Sequence, residues 1–174
     1  MKEMTDIDKG WLAGIIDGEG CLYIHKSKAP KTAIHTHKYH PEMQVVGTDP
    51  HIIQRCLDIT GLGRVHIRVR GHNTPQYAWQ TGGNMLRELL PVIKPYMCKE
   101  DQADVILEAL SMLKHRGRKP TGYGSNPRPQ WVSERLEELY QLLKDMHWRY
   151  MNASDGCNYT KNQYIQYGTK ELAR

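Results

Sequence analysis

The sequence predicts an α+β fold: αββαββ followed by further helices, with two hairpins joined in one antiparallel sheet and the helices on one face. Two observations predict it. Four segments alternate polar and apolar residues, as half-buried strands do, and they come in two pairs. Segments with apolar residues at helical spacing precede each pair and follow the second one. With 174 residues the chain suits a single domain, placed at 1–150, and leaves 151–174 as a polar tail.

The first αββ unit opens with a helix predicted over residues 5–17. Thr5 and Asp8 are residue types that cap helix N-termini. An apolar stripe follows at helical spacing, formed by Trp11, Leu12, Ile15 and Ile16. Gly18 and Gly20 are expected to end this helix. Strands are predicted over 21–27 and 42–48, and a polar connection rich in histidine and lysine joins them.

The second unit repeats this order. A short helix is predicted over 50–60, with Pro50 in the first turn, where a missing N–H costs nothing. Strands follow over 63–70 and 76–81 with a turn between them. The remaining chain predicts helices over 84–97 and 99–117, a basic loop rich in glycine and proline at 116–129, and an amphipathic helix over 130–150.

Composition limits the functional classes. The formal charge of +5 and the pI near 9.0 favour a polyanionic partner without specifying it. The cysteines at 21, 56, 98 and 157 form no CxxC pair, which favours reduced intracellular thiols. The sequence holds no apolar run long enough for a bilayer, and its start is too polar for a signal peptide. The expectation is an intracellular protein, cytoplasmic, nucleoid-associated or organellar, with no membrane partner.

One short motif carries most of the functional information. Residues 12–20 read Leu-Ala-Gly-Ile-Ile-Asp-Gly-Glu-Gly. Ala13 and Gly14 are small residues on an apolar helix, so a second helix backbone has space to approach there. Glu19 lies at the C-terminal end of the helix, where the dipole favours cations rather than a carboxylate. A bound divalent cation would offset that unfavourable charge.

This motif resembles the LAGLIDADG signature of homing endonucleases and intron maturases, and the resemblance covers roughly residues 5–115. It implies an αββαββα core whose curved four-stranded sheet binds DNA, with C-terminal helices added. It also implies metal binding at the penultimate acidic position, Glu19, beside Gly18. The usual residue there is Asp, so Glu19 is a departure from the pattern. The implied cofactor is Mg²⁺ or Mn²⁺, with Ca²⁺ as a non-catalytic substitute.

The resemblance implies two further active-site positions. Lys99, before Gln102-Ala103 at a helix start, corresponds to a lysine that stabilises charge developing on the phosphate. A polar residue that ends the second strand in the family aligns here with Gly47, which is another departure. Thr48 is the first substitute for that role and Gln44 the second.

A single motif predicts a homodimer. The later segment WVSERLEELYQLL lacks both the small pair and the acidic-glycine end, so it is not a second copy of the motif. A twin chain would then supply the other metal ligand. We expect an isologous interface between the two chains, and its two-fold symmetry predicts a pseudo-palindromic DNA target. The expected contact residues are Trp11, Leu12, Gly14, Ile15 and Gly18.

Strand alternation predicts the DNA-reading face. Along the strand at 63–70, four potentially cationic side chains share one face and repel each other unless an anion covers them, namely Arg64, His66, Arg68 and Arg70. Val65, Ile67 and Val69 are expected to face the helices. Polar residues of the other three strands are expected on the same face as the arginines, namely Tyr23, His25, Ser27, Gln44, Gln76 and Gln80. Arginine and glutamine suit bidentate reading of guanine and adenine.

Other basic residues are assigned to phosphates. The run at 114–118 includes Lys114, Arg116 and Arg118, which are expected to contact the DNA backbone. Histidines at 35, 37 and 40 suggest zinc only weakly, because the loop offers no obvious further ligands.

The function predicted from these patterns is site-specific double-strand DNA cleavage by metal-dependent phosphodiester hydrolysis, with 3′ overhangs. Two alternatives stay open. One is an RNA maturase that acts on its own intron, which would make intron RNA a partner. The other is a sequence-specific DNA-binding protein without cleavage activity, although the retention of Glu19 and Lys99 disfavours it.

Overall fold

The computed structural model of the protein describes residues 1–29, 36–69, 74–113 and 129–152, with side chains as far as residue 147. Its helices and strands are α1 (Asp6–Glu19), β1 (Gly20–Lys28), β2 (His37–Gly47), α2 (Pro50–Thr60), β3 (Arg64–Arg68), β4 (Gln76–Gly82), α3 (Asn84–Ile93), a 3₁₀ turn (Lys94–Tyr96), α4 (Glu100–Met112) and α5 (Gln130–Asn152). This order confirms the predicted α+β fold. Among these described helices, none is both long and apolar enough to cross a membrane.

The four strands form one antiparallel sheet in the order β1-β2-β4-β3. One face of the sheet is covered by helices, and its side chains are fully buried at Leu22, Met43, Val45 and Trp79. The helices contribute equally buried residues, among them Ile16 of α1, Leu89 of α3 and Ile106 of α4. The opposite face carries polar side chains and is called the open face below. The core therefore holds the open face and the end of α1 in fixed positions.

Strand β2 begins at His37 rather than at residue 42, so the sequence reasoning placed the start of this strand too late. The cause of the error is Pro41, which usually argues against a central strand. Here the carbonyl of Pro41 accepts a hydrogen bond from Gly83 N at 3.4 Å, at the end of β4. In an extended strand the nitrogen and the carbonyl of one residue point towards the same neighbouring strand. The nitrogen of Pro41 therefore points towards β4, and its missing N–H removes no hydrogen bond from the pairing with β1.

Ile67 lies on the same face of the sheet as Val65, as predicted, but the helices cover neither Ile67 nor Val69. Their side chains are 65% and 64% exposed. Val65 does face the core side, where it pairs with the buried Trp79. Strand β3 lies at the edge of the sheet, and the helical layer covers its first half only. Alternation along a strand defines which residues share a face, but it does not define how far the neighbouring layer extends.

The chain divides into two units, Met1–Leu143 and Lys144–Arg174. Within the first unit, the beginning of α5 packs on the core through four buried residues, Val132, Leu136, Leu139 and Leu143. Glu137 on the same helix binds both Lys26 Nζ, at 2.6 Å, and the hydroxyl of Tyr39. In the second unit, the described part is the helical segment 144–152.

The Glu137 cluster predicts a pH-dependent contribution to stability. Burial raises the pKa of Glu137, but hydrogen bonds from Lys26, Tyr39 and Gln141 outweigh burial and lower it to about 2, from an ordinary value of 4.5. Because the folded pKa is depressed, the stabilisation is complete above pH 4.5 and is lost as the pH falls towards 2. The carboxyl is 34% exposed, so we expect Glu137→Gln to cost only about 1 kcal/mol at pH 7.

Urea unfolding of the wild type and of Glu137→Gln between pH 2 and 7 measures this contribution. The difference in unfolding free energy is expected to shrink as the pH falls. Glu134→Gln is the control, because this residue of α5 is exposed and, among the described residues, its side chain bonds only that of Gln130. A difference that stays constant over the whole pH range would contradict the assignment.

Candidate active site and nucleic-acid interface

Helix α1 passes directly into β1 at the end of the motif. The amide of Gly20 donates to the carbonyl of Ile16, closing the last turn of the helix. A Cβ atom at Gly20 would lie 2.6 Å from that carbonyl oxygen and 2.7 Å from Ile16 Cα, which is too close for any residue other than glycine. The final glycine of the motif therefore permits the abrupt change from helix to strand. It also fixes Glu19 at the corner where the helix ends and the sheet begins.

The two acidic residues of the motif have different surroundings. Asp17 accepts hydrogen bonds from the backbone amides of Cys98, at 2.6 Å, and Lys99, at 3.0 Å. These bonds tie the end of α1 to the turn before α4. Glu19 is exposed, and its carboxylate receives no hydrogen bond from the described residues. Of the two, Glu19 is the carboxylate that no described residue engages, and its binding of a metal stays a prediction.

Lys99 lies at the same helix end. Its Nζ donates to the carbonyls of Ile16, at 3.1 Å, and Gly20, at 2.9 Å. The ammonium thus occupies the position where the helix dipole favours a cation. The sequence argument assigned this compensation to a metal alone, whereas the chain itself supplies part of it. Burial raises the pKa of the Cys21 thiol, and the positive charge of Lys99 opposes that rise. The Lys99 charge therefore also reaches Cys21, at the start of the open face.

The two candidates for the third active-site position, Gln44 and Thr48, have different surroundings. Gln44 lies on the open face, where its strand partner is Cys21. Cys21 follows Glu19 by two residues in the sequence. Its Nε2 atom is buried and has no hydrogen-bond partner among the described residues. Thr48 is exposed and follows the last residue of β2. Gln44 therefore holds an unsatisfied donor near the motif, and both residues stay predictions.

The sheet register places most of the predicted DNA-reading residues on one face. Residues directly opposite each other in a sheet point the same way. One continuous row crosses all four strands, through Cys21, Gln44, Gln80 and Arg64. Further pairs on this face join His25 to His40, Ser27 to Lys38, His66 to Ala78 and Arg68 to Gln76. Tyr23 belongs to the same face through its partner Glu42. The predicted common face is confirmed for these residues, while their contact with DNA stays a prediction.

Glu42 is an open-face residue that sequence reasoning missed. Its Oε2 accepts hydrogen bonds from the Tyr23 hydroxyl and from Gln80 Nε2, each at 2.8 Å. Gln80 Nε2 also lies 3.1 Å from the Tyr23 hydroxyl, so the three side chains form a closed cluster. The alternation that assigned Gln44 to this face assigns Glu42 to it as well. A carboxylate on a face of cationic and amide side chains has no sequence signal of its own.

Helix α1 carries an uncovered strip of glycines. Gly10, Gly14 and Gly18 are exposed, and a Cβ atom at any of them would meet nothing within 4 Å. Ile7 extends this strip and is 80% exposed. Gly14 and Gly18 were predicted interface positions, whereas Gly10 was missed because it precedes the motif.

Leu12 cannot be part of an interface with a second chain. It is fully buried in the core of its own chain, as is Ala13, so the prediction for Leu12 was wrong. The other predicted positions, Trp11 and Ile15, are partly exposed. Trp11 packs beneath the Arg55 guanidinium, 4.2 Å from the ring centre. The helix thus uses one side for the core and presents the glycine side outward.

Four predicted nucleic-acid contacts lie outside the described residues, namely Arg70, Lys114, Arg116 and Arg118. His35 also lies outside them, whereas His37 and His40 are part of β2. Among the described residues, no three His, Cys, Asp or Glu side chains lie close enough to hold a metal ion together.

Solved structures resemble this chain over most of its length. The homing endonuclease I-CvuI, in complex with the I-CreI target in the presence of Mg, is 20% identical with a TM-score of 0.63, and the match covers 97% of this chain and 96% of that one. The archaeal intron-encoded homing endonuclease I-Vdi141I, complexed with DNA, is 16% identical with a TM-score of 0.64, covering 92% and 94%. The LAGLIDADG homing endonuclease I-LtrWI, bound to target DNA, is 16% identical with a TM-score of 0.62, covering 81% of this chain and 45% of that one.

The chain has the LAGLIDADG homing endonuclease fold. No protein-family model and no curated protein sequence matches the chain. The LAGLIDADG fold accounts for the order of elements, for the helix that ends at Glu19 and for the four-stranded sheet beside it.

Proposed function

We propose that this protein is a site-specific DNA endonuclease that works as a homodimer and needs a divalent metal. One observation carries the proposal: the exposed Glu19 carboxylate and the Lys99 ammonium lie at the same end of α1, where the open face begins. That face carries Arg64, Arg68 and Gln80, which suit base edges and phosphates. The I-CvuI and I-Vdi141I structures of the same fold are complexes with DNA, which supports DNA as the partner.

The donor set at the end of α1 suits a hard cation. Glu19 offers carboxylate oxygens and Gly18 a backbone carbonyl at an exposed turn, and Mg²⁺ and Ca²⁺ prefer oxygen ligands. One chain supplies too few ligands, since no described group of three metal-binding side chains exists. A second copy would bring a second Glu19 to the site. When bound, divalent cations supply Lewis-acid stabilisation of the phosphate and a more acidic water for attack.

The protein's own residues have separate roles in this proposal. Glu19 would hold the divalent cation. Asp17 fixes the backbone of Lys99 and so keeps its ammonium beside the end of α1. Lys99 stabilises the negative charge that develops on the phosphate. Because the nucleophile is water, no covalent protein–DNA intermediate is needed, and cutting across the minor groove would leave 3′ overhangs.

The dimer is proposed to form through α1. Gly10, Gly14 and Gly18 leave its outer side without side chains, so two copies of the helix backbone have space to approach closely. The interface would be isologous, with the same residues on both chains. This arrangement would place the two Glu19 residues near each other and favour a pseudo-palindromic target.

The test of the proposed function is selection from a randomised duplex library, scored for binding in EDTA and for cleavage with Mg²⁺. We expect one long pseudo-palindrome to be bound under both conditions and cut only with the metal. Selection without cutting would support the binding-module alternative instead. If no duplex is bound or cut, the proposal fails, and intron RNA becomes the substrate to test for maturase activity.

Lys99→Met is expected to lower the cleavage rate about 10²-fold while duplex affinity changes little, because the lost charge acts mainly on the transition state. Single-turnover cleavage on the selected duplex measures the rate, and a gel-shift titration measures the affinity. Lys99→Arg keeps a cation at the helix end and should recover part of the rate. Lys144→Met, at an exposed position of α5, serves as the control for removing a positive charge. Equal rates for the wild type and Lys99→Met would remove Lys99 from the mechanism.

A further inference from the structure

The cluster formed by Glu42, Tyr23 and Gln80 holds a carboxylate on the face proposed to meet DNA. Glu42 lies on β2, between Tyr23 of β1 and Gly82 of β4. Its side chain leans over Gly82, since a Cβ atom there would lie 3.2 Å from Glu42 Cγ. The hydrogen bonds from Tyr23 and Gln80 both end on Oε2, so the carboxylate retains acceptor capacity at Oε1. The carboxylate is thus held in one orientation before any ligand binds.

A negative charge in this place is unfavourable towards a phosphate backbone. Other charged groups on the same face, such as Lys38, Arg64 and Arg68, are positive. Neither of the two side chains bonded to Glu42 is a cation, so its charge is not neutralised by an ion pair within the cluster. Burial and the hydrogen bond to Glu42 raise the pKa of Tyr23, which keeps its hydroxyl a donor towards Glu42. The carboxylate therefore suits a hydrogen-bond donor of the DNA rather than a phosphate.

The major groove offers such donors on two bases only. Cytosine presents its N4 amino group, and adenine presents N6 beside the acceptor N7. Guanine presents two acceptors, and thymine an acceptor and a methyl group. A carboxylate is repelled by the acceptor N7 of adenine and by the acceptors N7 and O6 of guanine. Cytosine is therefore the base that a side chain with acceptors alone selects.

We propose that Glu42, oriented by Tyr23 and Gln80, is a specificity-determining residue that selects cytosine at one position in each half-site of the DNA target. This inference rests on the proposed function, because it needs a DNA duplex against the open face. It adds to that proposal by naming one base pair of the target and the residue that reads it.

The test compares binding-selected base frequencies from a randomised duplex library for the wild type, Glu42→Gln and Tyr23→Phe. The wild type is expected to select cytosine at one pair of symmetry-related positions. Glu42→Gln keeps the size of the side chain and adds a donor, so it should lose that preference by about tenfold or more and shift towards adenine. Tyr23→Phe should weaken the same preference without changing the base. All other positions should keep their wild-type frequencies.

Two measurements separate base reading from a structural role. Glu88→Gln removes an exposed carboxylate from α3, outside the open face, and should leave every base frequency unchanged. Thermal melting followed by circular dichroism should give the wild-type midpoint for Glu42→Gln. The same variant should bind non-specific duplex more tightly than the wild type, because a charge that repels the phosphates is gone. An unchanged profile, or a uniform loss at all positions, would overturn the role of Glu42 alone. A wild type that selects no duplex at all would overturn the proposed function together with this inference.

Discussion

Replacing Glu19 with glutamine is expected to abolish strand cleavage and to leave duplex binding intact. Glutamine keeps the shape of the side chain but removes the charge that holds a divalent cation. Loss of the cation removes several kcal/mol of charge stabilisation in the transition state, which corresponds to about 10³-fold or more in rate. Binding depends on the open face, which does not include Glu19, so the affinity should stay within a few-fold of the wild type. Single-turnover cleavage and gel-shift titration on the same duplex measure the two effects.

The matched control is Glu3→Gln, which removes an exposed carboxylate ahead of α1. It is expected to cut at the wild-type rate. Asp17→Asn gives a second comparison, because Asp17 caps the backbone of Cys98 and Lys99 and should act through stability as well as rate. Cleavage by Glu19→Gln at the rate of the wild type would show that the acidic end of α1 takes no part in the chemistry.

Replacing Gly14 with leucine is expected to convert the proposed dimer into a monomer and to abolish cleavage with it. A Cβ atom at Gly14 meets nothing within 4 Å in the single chain, so the fold itself accommodates a side chain there. Helix propensity even favours the change by up to about 1 kcal/mol. Between two helices, by contrast, the leucine side chain would prevent the close backbone approach. Sedimentation velocity measures the change in mass, and thermal melting shows that the monomer stays folded.

Ser111→Leu is the control for added apolar surface, since Ser111 is an exposed residue on α4. That variant should remain dimeric and active. If Gly14→Leu stays dimeric and cuts DNA, the interface lies elsewhere and the glycine side of α1 has another role. If it is monomeric and cuts both strands, a single chain supplies the whole site.

The fold could be predicted from the sequence because alternation and helical spacing are local. Thr5 caps the start of α1, and Pro50 lies in the first turn of α2, as their residue types predict. The common face of Gln44, Gln80 and Arg64 follows from the same rule applied to each strand, once the strands pair.

The errors arose where packing between elements decides the outcome. Leu12 reads as part of an apolar stripe, and only the three-dimensional arrangement shows that this side of α1 faces its own core. Ile67 was expected to lie against the helices, but the helices do not extend to that part of β3.

Long-range contacts set further limits on sequence reading. Lys99 is far from the motif in sequence, so its hydrogen bonds to Ile16 and Gly20 have no local pattern that predicts them. The same holds for the tie between Asp17 and the turn before α4. Glu42 is a different case, because its face was predictable and only its chemistry was overlooked.

The central claim is that two copies of this chain cut both strands of one duplex with a divalent metal. Its most direct test incubates the wild type with the duplex that it selects, in Mg²⁺, Ca²⁺ or EDTA, and maps the ends on each strand. We predict cuts on both strands with Mg²⁺, at symmetry-related positions with 3′ extensions, and binding without cutting in Ca²⁺ or EDTA. A duplex that is bound tightly and stays intact at every Mg²⁺ concentration would contradict the claim.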